Sequence, residues 1–476
     1  MRQRHCKIVA TLGPSSDPPE RIQMLIDAGV DCIRINFSHG DAAGHRKRFA
    51  AIREVERRAD RPITIIADLQ GPKIRIGEVA GGEIKLRYKQ SVTLSANAAD
   101  SDADAIPLPH PEVFQGLEPG DTLKLDDGKL ELTVTSVEGL SARAEVVAGG
   151  ILRSRKGVNI PSRAIPISAL TEKDKQDLEV ALDAGADYVA LSFVQTADDV
   201  REARALIGDR AGVLAKIEKP SAIEELDAIL AEADALMVAR GDLGVELPPE
   251  LVPVVQRRII RACRAAGKPV IVATHMLESM VDSPTPTRAE ASDVATAVYQ
   301  GADAVMLSAE SAIGRHPATA AAVMDRIIRS VEADPEHWTE LPRGGARPET
   351  TTADAISLSV RHIVNVLGCS AVVAFTKTGS TAFRMARERP HAKVLALTPR
   401  AETARRLTVA WGVQCIVTED IGSFDEMIVK AERLALESGA GRIDDRIVIT
   451  AGVPFGRPGK TNVLKISRLR EQGAEE

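Results

Sequence analysis

Two short charged motifs in the middle of the chain each follow an apolar run. Lys216-Ile217-Glu218 comes after VLA, and Arg240-Gly241-Asp242 comes after ALMVA. Each motif therefore lies where a buried strand is predicted to end. If neighbouring strand ends bring the motifs together, their carboxylates offer a site for Mg²⁺ or Mn²⁺ beside the ammonium of Lys216. Such a site suits a phosphorylated substrate. The alternative is a surface network of ion pairs at loop starts.

The composition is that of an ordinary globular protein. The chain has 476 residues, 44% of them hydrophobic and 27% charged, which suits about three domains of roughly 150 residues each. A net charge of -6 and a pI near 6.0 give no reason to expect binding to nucleic acid or to a membrane surface. Apolar runs are too short to span a membrane, and the one near the N-terminus is too short for a secretory signal. We therefore predict a cytoplasmic location.

Short apolar runs of one type recur with helical patterns between them. The eight runs are KIVATLGP, CIRINFSH, ITIIADLQ, YVALSFV, VLAKIE, ALMVARGD, VIVATHM and AVMLSAE. Several of the intervening helical patterns end in small residues and Gly, as in DAGAD and QGADA. Eight such βα units predict an α/β protein built on a TIM (β/α)8 barrel, since its strands are buried on both faces. An open doubly wound sheet is the alternative.

Polar residues are concentrated where these runs end. In a TIM barrel the catalytic groups lie at the carboxyl ends of the strands, and packing alone does not explain this pattern. The residues are Arg34, Asn36, Ser38, Asp68, Lys216, Glu218, Arg240, Asp242, Thr274, His275, Ser308 and Glu310.

An insertion and a final unit complete the predicted domain organisation. After Gly71 the runs EIKLRYK, SVTLSAN, DTLKLDDGKLELTV and ARAEVV alternate at period two with Gly-containing turns, which predicts an all-β insertion. A linker-like stretch, ADPEHWTELPRGGARPETTT, precedes five further runs and three helical patterns typical of a small doubly wound or mixed α/β sheet. We predict barrel segments at 1–70 and 166–345, the insertion at 71–165 and the last domain at 346–476.

The chain resembles the pyruvate kinase family over nearly its whole length. The resemblance is carried by KIVATLGPSS, RINFSHG, DLQGPKIR, LTEKDKQDL, AKIE, MVARGDLGVE, VATHMLESM, PTRAEASDVATAV and MLSAES. It implies Mg²⁺-dependent phosphoryl transfer from phosphoenolpyruvate to ADP, giving pyruvate and ATP in glycolysis. It also implies a small mobile β-barrel lid after the third strand, a carboxyl-terminal regulatory domain and a homotetramer.

Residue chemistry is consistent with those roles. Glu218 and Asp242 suit Mg²⁺, and Lys216 can lie against the phosphoryl group in flight and then the enolate oxygen. Arg34 and Arg75 are forked donors for phosphate, with salt bridges to barrel carboxylates as the alternative. A helical turn beginning near Gly241 and Asp242 offers N–H groups to the substrate carboxylate.

The second half of the reaction is protonation of enolpyruvate at carbon. The resemblance implies a threonine and a water relay at Thr274, Ser308 and Glu310. A threonine hydroxyl is too weak an acid to act alone, so a relay through Glu310 or water is the more physical mechanism. The alternative is that Thr274 fills a barrel layer. His275 replaces the glutamine more common in relatives, and a hydrogen-bonded spacer is favoured over a direct acid role.

The motif DLQGPKIR departs from the family pattern at Lys73. Many relatives read DTKGPEIR, and their glutamate accompanies a K⁺ requirement met by oxygens that correspond to Asn36, Ser38, Asp68 and the backbone at residue 69. An ammonium about 4 Å from a phosphoryl oxygen contributes roughly 4 kcal/mol at an effective dielectric constant near 20. We therefore predict K⁺-independent activity. The alternative is a solvated lysine at a lid hinge, with K⁺ still required.

A polar loop in the last domain joins a strand to a helix. Hydroxyls, a lysine and free N–H groups at a helix start favour an effector phosphate site, and the loop resembles the family's site for phosphorylated activators. A capped helix start without ligand is the alternative. The loop AGVPFGRPGKTN is predicted to close over the site. The phosphate loop comprises Thr376, Lys377, Thr378, Gly379, Ser380 and Thr381.

Two other function classes use similar features. A catalytically silent effector sensor would have lost Lys216, Glu218 or Asp242, which are all present. A metal-dependent pyruvate aldolase also places Glu and Asp on Mg²⁺ but has no use for a β lid over a nucleotide. A phosphohistidine dikinase is less favoured, because no histidine lies in a recognisable swivelling domain.

Overall fold

The first segment of the chain alternates strands and helices. The computed structural model describes residues 2–97, 105–341, 350–455 and 461–470. Asp41 caps the second helix by accepting a hydrogen bond from the Gly44 N–H. The predicted βαβαβ segment is confirmed as β1 (Lys7–Thr11), α1 (Pro19–Ala28), β2 (Cys32–Asn36), α2 (Ala42–Ala59) and β3 (Thr64–Asp68).

The inserted segment is mainly β-structure, as predicted. Its described strands form a six-stranded mixed sheet and a separate two-stranded antiparallel sheet, and in this part of the chain neither closes into the small barrel that the resemblance implied. The elements are β4 (Glu83–Leu86), β5 (Ser91–Ser95), β6 (Ala105–Pro107), α3 (Pro111–Gly116), β7 (Thr122–Leu125), β8 (Leu130–Glu138), β9 (Ser141–Ala148), β10 (Gly150–Arg153) and β11 (Val158–Asn159).

The βα alternation then resumes. Its first helix has Thr171 as N-cap in a capping box with Asp174. The elements are α4 (Glu172–Asp183), β12 (Tyr188–Leu191), α5 (Ala197–Ile207), β13 (Gly212–Ile217), α6 (Pro220–Glu224), α7 (Leu226–Glu232), β14 (Ala235–Ala239), α8 (Arg240–Glu246), α9 (Val252–Ala266), β15 (Val270–Ala273), α10 (Arg288–Tyr299), β16 (Ala304–Leu307), α11 (Ala309–Ala312), α12 (Pro317–Glu332) and α13 (Pro335–Glu340).

Eight parallel strands close into one barrel. Around the ring their order is β1, β16, β15, β14, β13, β12, β3 and β2. The strands are almost wholly buried because side chains fill the interior and helices cover the outside. The predicted TIM barrel is therefore confirmed, and the open doubly wound alternative is wrong. All eight strands end at one rim, where the predicted polar residues lie.

A mixed α/β sheet forms the final unit, as predicted. The sheet order is β19, β18, β17, β20, β21, with only the β20–β21 pair antiparallel. The elements are α14 (Thr352–Leu367), β17 (Ala371–Phe375), α15 (Ser380–Arg387), β18 (Lys393–Thr398), α16 (Ala401–Leu407), β19 (Val413–Val417), α17 (Phe424–Glu437), β20 (Arg446–Ala451) and β21 (Val463–Arg468).

Parts of two predicted loops lie outside the described residues. The proposed boundary at 345/346 falls within 342–349, and the middle of AGVPFGRPGKTN falls within 456–460. Over the described ranges, no helix combines the length and the apolar character needed to cross a membrane.

A buried arginine of the final unit, Arg389, forms hydrogen bonds to the barrel. The Arg389 guanidinium donates to both Asp303 carboxylate oxygens, at 2.9 and 3.1 Å, and to the Gly301 carbonyl at 2.9 Å. It also lies 4.8 Å from the centre of the Trp411 ring. Asp303 immediately precedes β16, so this contact holds the C-terminal sheet at the end of the barrel opposite the rim where the strands end.

We expect Arg389→Met to cost about 3 kcal/mol of folding free energy, because it leaves the buried Asp303 carboxylate without its cation. Urea unfolding followed by circular dichroism measures the change. The matched control is Arg58→Met, which removes an exposed ion pair with Glu54 on α2 and should change stability by less than about 0.5 kcal/mol. Equal effects of the two variants would contradict the structural role of Arg389.

Candidate active site

Lys216 lies at the centre of a buried charge cluster at the carboxyl ends of the strands. Its Nζ is 2.8 Å from Glu218 Oε1, 3.4 Å from Asp68 Oδ1 and 2.7 Å from the Ser192 hydroxyl. Burial lowers the pKa of Lys216, but Asp68 and Glu218 together raise it more, so its pKa lies above the ordinary value. The ammonium is therefore a fixed positive charge in a site largely closed to water.

Glu218 is a buried carboxylate with one oxygen available. Oε2 accepts a hydrogen bond from the Phe193 N–H at 2.7 Å. Oε1 lies in the ion pair with Lys216 but has no partner in hydrogen-bond geometry. Burial raises the pKa of Glu218, Lys216 lowers it, and the nearby Asp242 raises it again. The positive charge of Lys216 therefore offsets burial and the Asp242 charge only in part, and the pKa of Glu218 stays above its ordinary value.

The carboxylates of Glu218 and Asp242 fit a divalent cation. They repel one another, and Glu218 Oε1 has free acceptor capacity, which are the properties of a hard-metal site. Within the described ranges, three or more His, Cys, Asp or Glu side chains do not cluster as a metal site. The remaining coordination positions would thus belong to substrate oxygens and water, as is usual for Mg²⁺.

Arg34 and Asp68 form a second ion pair beside Lys216. Arg34 Nε donates to Asp68 Oδ2 at 2.6 Å, and Nη1 donates to the Thr11 hydroxyl at 3.1 Å. Burial raises the pKa of Asp68, but Lys216 and Arg34 outweigh it and hold the pKa below the ordinary value. Asp68 is therefore an anion shared between two cations, and it orients both.

Two residues of the predicted monovalent-cation region, Asn36 and Ser38, are joined by a hydrogen bond. Asn36 Oδ1 accepts a hydrogen bond from the Ser38 N–H at 3.0 Å, at the rim next to Asp68. Lys73 is exposed, and among the described residues its ammonium forms no ion pair. It lines a cleft together with Asp242 and Lys219. The side chain is thus free to reach a ligand in that cleft.

Thr274 contacts the first turn of α8. The Gly241 N–H donates to Thr274 Oγ1 at 2.9 Å, so in this structure that N–H is not directed at a ligand. Thr274 has a φ of +70° and His275 a φ of +54°, an uncommon conformation for residues other than Gly. Arg240 supports the turn by donating to the carbonyls of Ala273 and Thr274, at 3.2 and 2.6 Å.

Glu310 is a buried anchor. Its carboxylate accepts hydrogen bonds from the Leu277 N–H at 3.0 Å and the Ser308 N–H at 2.7 Å. Burial raises the pKa of Glu310, although the backbone hydrogen bonds oppose the shift. The Ser308 hydroxyl has no hydrogen-bond partner among the described residues. Glu310 therefore ties the segments after β15 and β16 together beneath Thr274.

Arg75 lies apart from the Lys216 cluster. It is exposed in the inserted segment, where Nη1 donates to the Arg155 carbonyl at 2.9 Å and its N–H donates to His110 at 3.2 Å. His275 is also exposed.

A second buried charge pair, Lys219 with Glu246, was not predicted from the sequence. Lys219 Nζ is 2.5 Å from Glu246 Oε1, and the same oxygen accepts a hydrogen bond from Asn159 Nδ2 at 2.8 Å. Lys124 of the insertion also donates to the Val245 carbonyl at 2.6 Å. These contacts join the insertion to α8, which carries Asp242. Ser192 was missed too, although the strand-end rule that identified its neighbours applies to it.

The phosphate loop of the final unit lines a cavity of about 290 Å³ with Glu419 and Asp420. Lys377 Nζ is 2.6 Å from Asp420 Oδ2, and the Gly379 N–H donates to Thr376 Oγ1 at 2.9 Å. Gly379 has a φ of +92°, which favours glycine. The loop is therefore a stabilised helix start beside a cavity.

The closed barrel and its buried Lys–Glu–Asp cluster define a barrel enzyme with its site at the strand ends. The family model described as the pyruvate kinase barrel domain matches residues 3–321, and the pyruvate kinase alpha/beta domain matches residues 354–467. The chain belongs to the pyruvate kinase family. It is accordingly a transferase of the kinase class, with the function of a pyruvate kinase.

Full-length relatives are consistent with this assignment. The chain is 51% identical to a pyruvate kinase of Methylorubrum extorquens over 100% of this chain and 99% of that protein. It is 46% identical to one of Agrobacterium vitis over 98% and 97% of the two chains. A crystal structure of a pyruvate kinase from Cryptosporidium parvum superposes with a TM-score of 0.93 at 33% identity, covering 98% of this chain and 96% of that one.

Proposed function

We propose that this chain transfers the phosphoryl group of phosphoenolpyruvate to ADP, with Mg²⁺ held by Glu218 and Asp242; Mn²⁺ is an alternative ion. The buried Lys216–Glu218 ion pair, in which Glu218 Oε1 accepts no hydrogen bond, is the observation that carries the proposal. The divalent ion supplies neutralisation of charge on the phosphoryl and enol oxygens. Lys216 and Arg34 supply fixed positive charge for the transferring group, and Asp68 orients both cations.

We also propose that the enolate is protonated beside Thr274. Because Thr274 Oγ1 accepts the Gly241 N–H, its own O–H remains able to donate a hydrogen bond to a water. That water would give a proton to the enolate carbon and would be reprotonated from solvent, with Thr274 positioning it. Glu310 is fully buried and already accepts two backbone hydrogen bonds, so we assign it to positioning of Thr274 and Ser308. The exposed His275 serves as a spacer.

We also propose activity without K⁺. The support is that Lys73 is exposed beside the cleft that contains Asp242 and has no ion-pair partner within the described residues. Its ammonium can therefore approach a bound phosphoryl group. Arg75 would reach the substrate only through movement of the insertion.

We expect Lys73→Glu to convert the enzyme to K⁺ dependence. Initial rates in KCl and in tetramethylammonium chloride should be equal for the original chain. For the variant, the rate in tetramethylammonium should fall at least about tenfold, since a cation of Coulombic importance has been lost. Lys156→Glu, which changes a lysine of the insertion outside the cleft, is the control. K⁺ dependence of the original chain would overturn the proposal and leave Lys73 as a solvated hinge residue.

Regulation through the final unit is a further part of the proposal. The phosphate loop and its cavity support binding of a phosphorylated effector. We expect Lys377→Ala to weaken activation by such an effector about tenfold, because one charge-assisted hydrogen bond is removed, while the unstimulated rate is unchanged. Titration of the initial rate with a panel of sugar phosphates measures both. An unchanged activation constant would contradict a role for Lys377.

The remaining features follow the same proposal. We propose a homotetramer in the cytoplasm, with domains at 1–70 with 166–345, at 71–165 and at 346–476. Two assays distinguish phosphoryl transfer from phosphoenolpyruvate to ADP from the alternative pyruvate aldolase activity. Pyruvate and ATP should form in equal amounts from phosphoenolpyruvate and ADP, and added aldehydes should not consume pyruvate.

A further inference from the structure

A second cavity lies between the barrel and the final unit. Its volume is about 320 Å³. Its barrel wall includes Tyr188 and Gly212, the first residues of β12 and β13, so it lies at the end of the barrel opposite Lys216. The other wall comes from α15 and Arg406 of α16. The cavity is therefore separate from the candidate active site.

Among the residues that the structure describes, four cationic side chains line this interdomain cavity. They outnumber its two carboxylates, Asp234 and Asp354. Asp234 is paired at 2.7 Å with Arg204, which is not part of the wall. Asp354 is shared by two of the cations, at 3.0 and 3.5 Å. The lining cations are Lys268, Arg384, Arg387 and Arg406.

Two of these cations have only backbone partners. Lys268 donates to the carbonyls of Leu230 and Ala231, at 2.6 and 3.0 Å, and Arg406 donates to the Asp209 carbonyl at 2.7 Å. In the part of the chain that the structure describes, neither forms an ion pair with a carboxylate. Carbonyls orient a cation without neutralising it, so the cavity keeps an excess of positive charge.

The phosphate loop separates this cavity from the one described above. Thr378 and Ser380 line both cavities. On the far side, the described lining has one lysine, Lys377, with Glu419 and Asp420. On the barrel side, the same hydroxyls accompany the four cations and the aromatic ring of Phe383. Among described residues, the larger excess of positive charge is thus on the barrel side of the loop.

We propose that the interdomain cavity binds a small organic phosphate monoester. The cations and the hydroxyls of Thr378 and Ser380 would hold the phosphate, and Phe383 would pack against the organic part. The ligand would contact the barrel and the final unit at once, and it would share a wall with any ligand on the other side of the phosphate loop. This site does not depend on which reaction the rim of the barrel catalyses.

Calorimetric titration with glycerol 2-phosphate tests the proposal, with glycerol as the uncharged control. Arg406→Gln and Lys268→Gln each remove a cation without leaving a carboxylate unpaired, so both variants should fold. Each should weaken binding about tenfold, the effect of one lost charge-assisted hydrogen bond. Lys377→Gln, on the other side of the loop, and Lys73→Gln, at the active-site cleft, should bind as the original chain does.

Three results would overturn the proposal. One is absence of binding to the original chain, and another is equal binding by the Arg406→Gln and Lys268→Gln variants. The third is loss of binding in Lys377→Gln or Lys73→Gln alone, which would assign the phosphate to the other cavity or to the active site. Because the readout is binding, failure of this proposal is distinguishable from failure of the proposed catalytic function.

Discussion

Replacing Lys216 with methionine should lower kcat for pyruvate formation about a thousandfold, the loss typical of removing one preorganised group that stabilises transition-state charge. Lys216 Nζ lies within 2.8 Å of Glu218 and 3.4 Å of Asp68, so its position is fixed before substrate arrives. Its effect should therefore fall mainly on kcat rather than on KM for phosphoenolpyruvate. Steady-state kinetics over a range of both substrates separates the two parameters.

Loss of activity in this variant must be distinguished from loss of structure. Removing the ammonium leaves buried carboxylates uncompensated, which should cost about 3–5 kcal/mol of stability. The double variant Lys216→Met with Glu218→Gln removes one of those carboxylates and should recover part of the stability without recovering activity. Substantial activity in the single variant would contradict a direct role for Lys216.

Neutralising the two carboxylates of the proposed metal site is expected to have an effect of similar size. Glu218→Gln and Asp242→Asn should each lower kcat at saturating Mg²⁺ about a thousandfold, because the charge neutralisation at stake amounts to several kcal/mol. Each should also weaken binding of Mn²⁺, measured by electron paramagnetic resonance with phosphoenolpyruvate present.

Asp198→Asn is the control for these carboxylate variants. Asp198 lies in the first turn of α5, and its side chain is 85% exposed. Its neutralisation should leave both kcat and Mn²⁺ binding unchanged. Normal Mn²⁺ affinity in Glu218→Gln and Asp242→Asn would exclude these residues as ligands, whatever their activity.

Local sequence pattern was sufficient for the barrel and its catalytic rim. Apolar runs such as YVALSFV and AVMLSAE are recognisable because strands buried on both faces have few polar positions. The change from apolar to polar residues then marks the strand ends. For that reason Lys216, Glu218 and Asp68 could be expected at one rim before any contact was known.

Contacts between distant segments had no such local signal. The strands β6, β10 and β11 have two to four residues each, too few for a clear alternation of burial. The Lys219–Glu246–Asn159 network joins residues 27 and 87 positions apart, and nothing near Lys219 specifies its partner. The bond from Gly241 to Thr274 likewise depends on how α8 meets the end of β15.

The interdomain cavity likewise has no local sequence signal that would predict it. Its cations come from the barrel, α15 and α16, and each is an ordinary surface residue by sequence. Only the packing of the final unit against the barrel brings Lys268 and Arg406 to one cavity. The loop at 376–381 was predicted from the sequence. The cavity on its barrel side could not be predicted in that way.

The most direct test of the account is a measurement of pyruvate and ATP formed from phosphoenolpyruvate and ADP, with and without Mg²⁺. The account predicts equal amounts of both products, formed only with the divalent ion present. Absence of pyruvate in Mg²⁺, even with K⁺ and candidate phosphorylated effectors added, would contradict it.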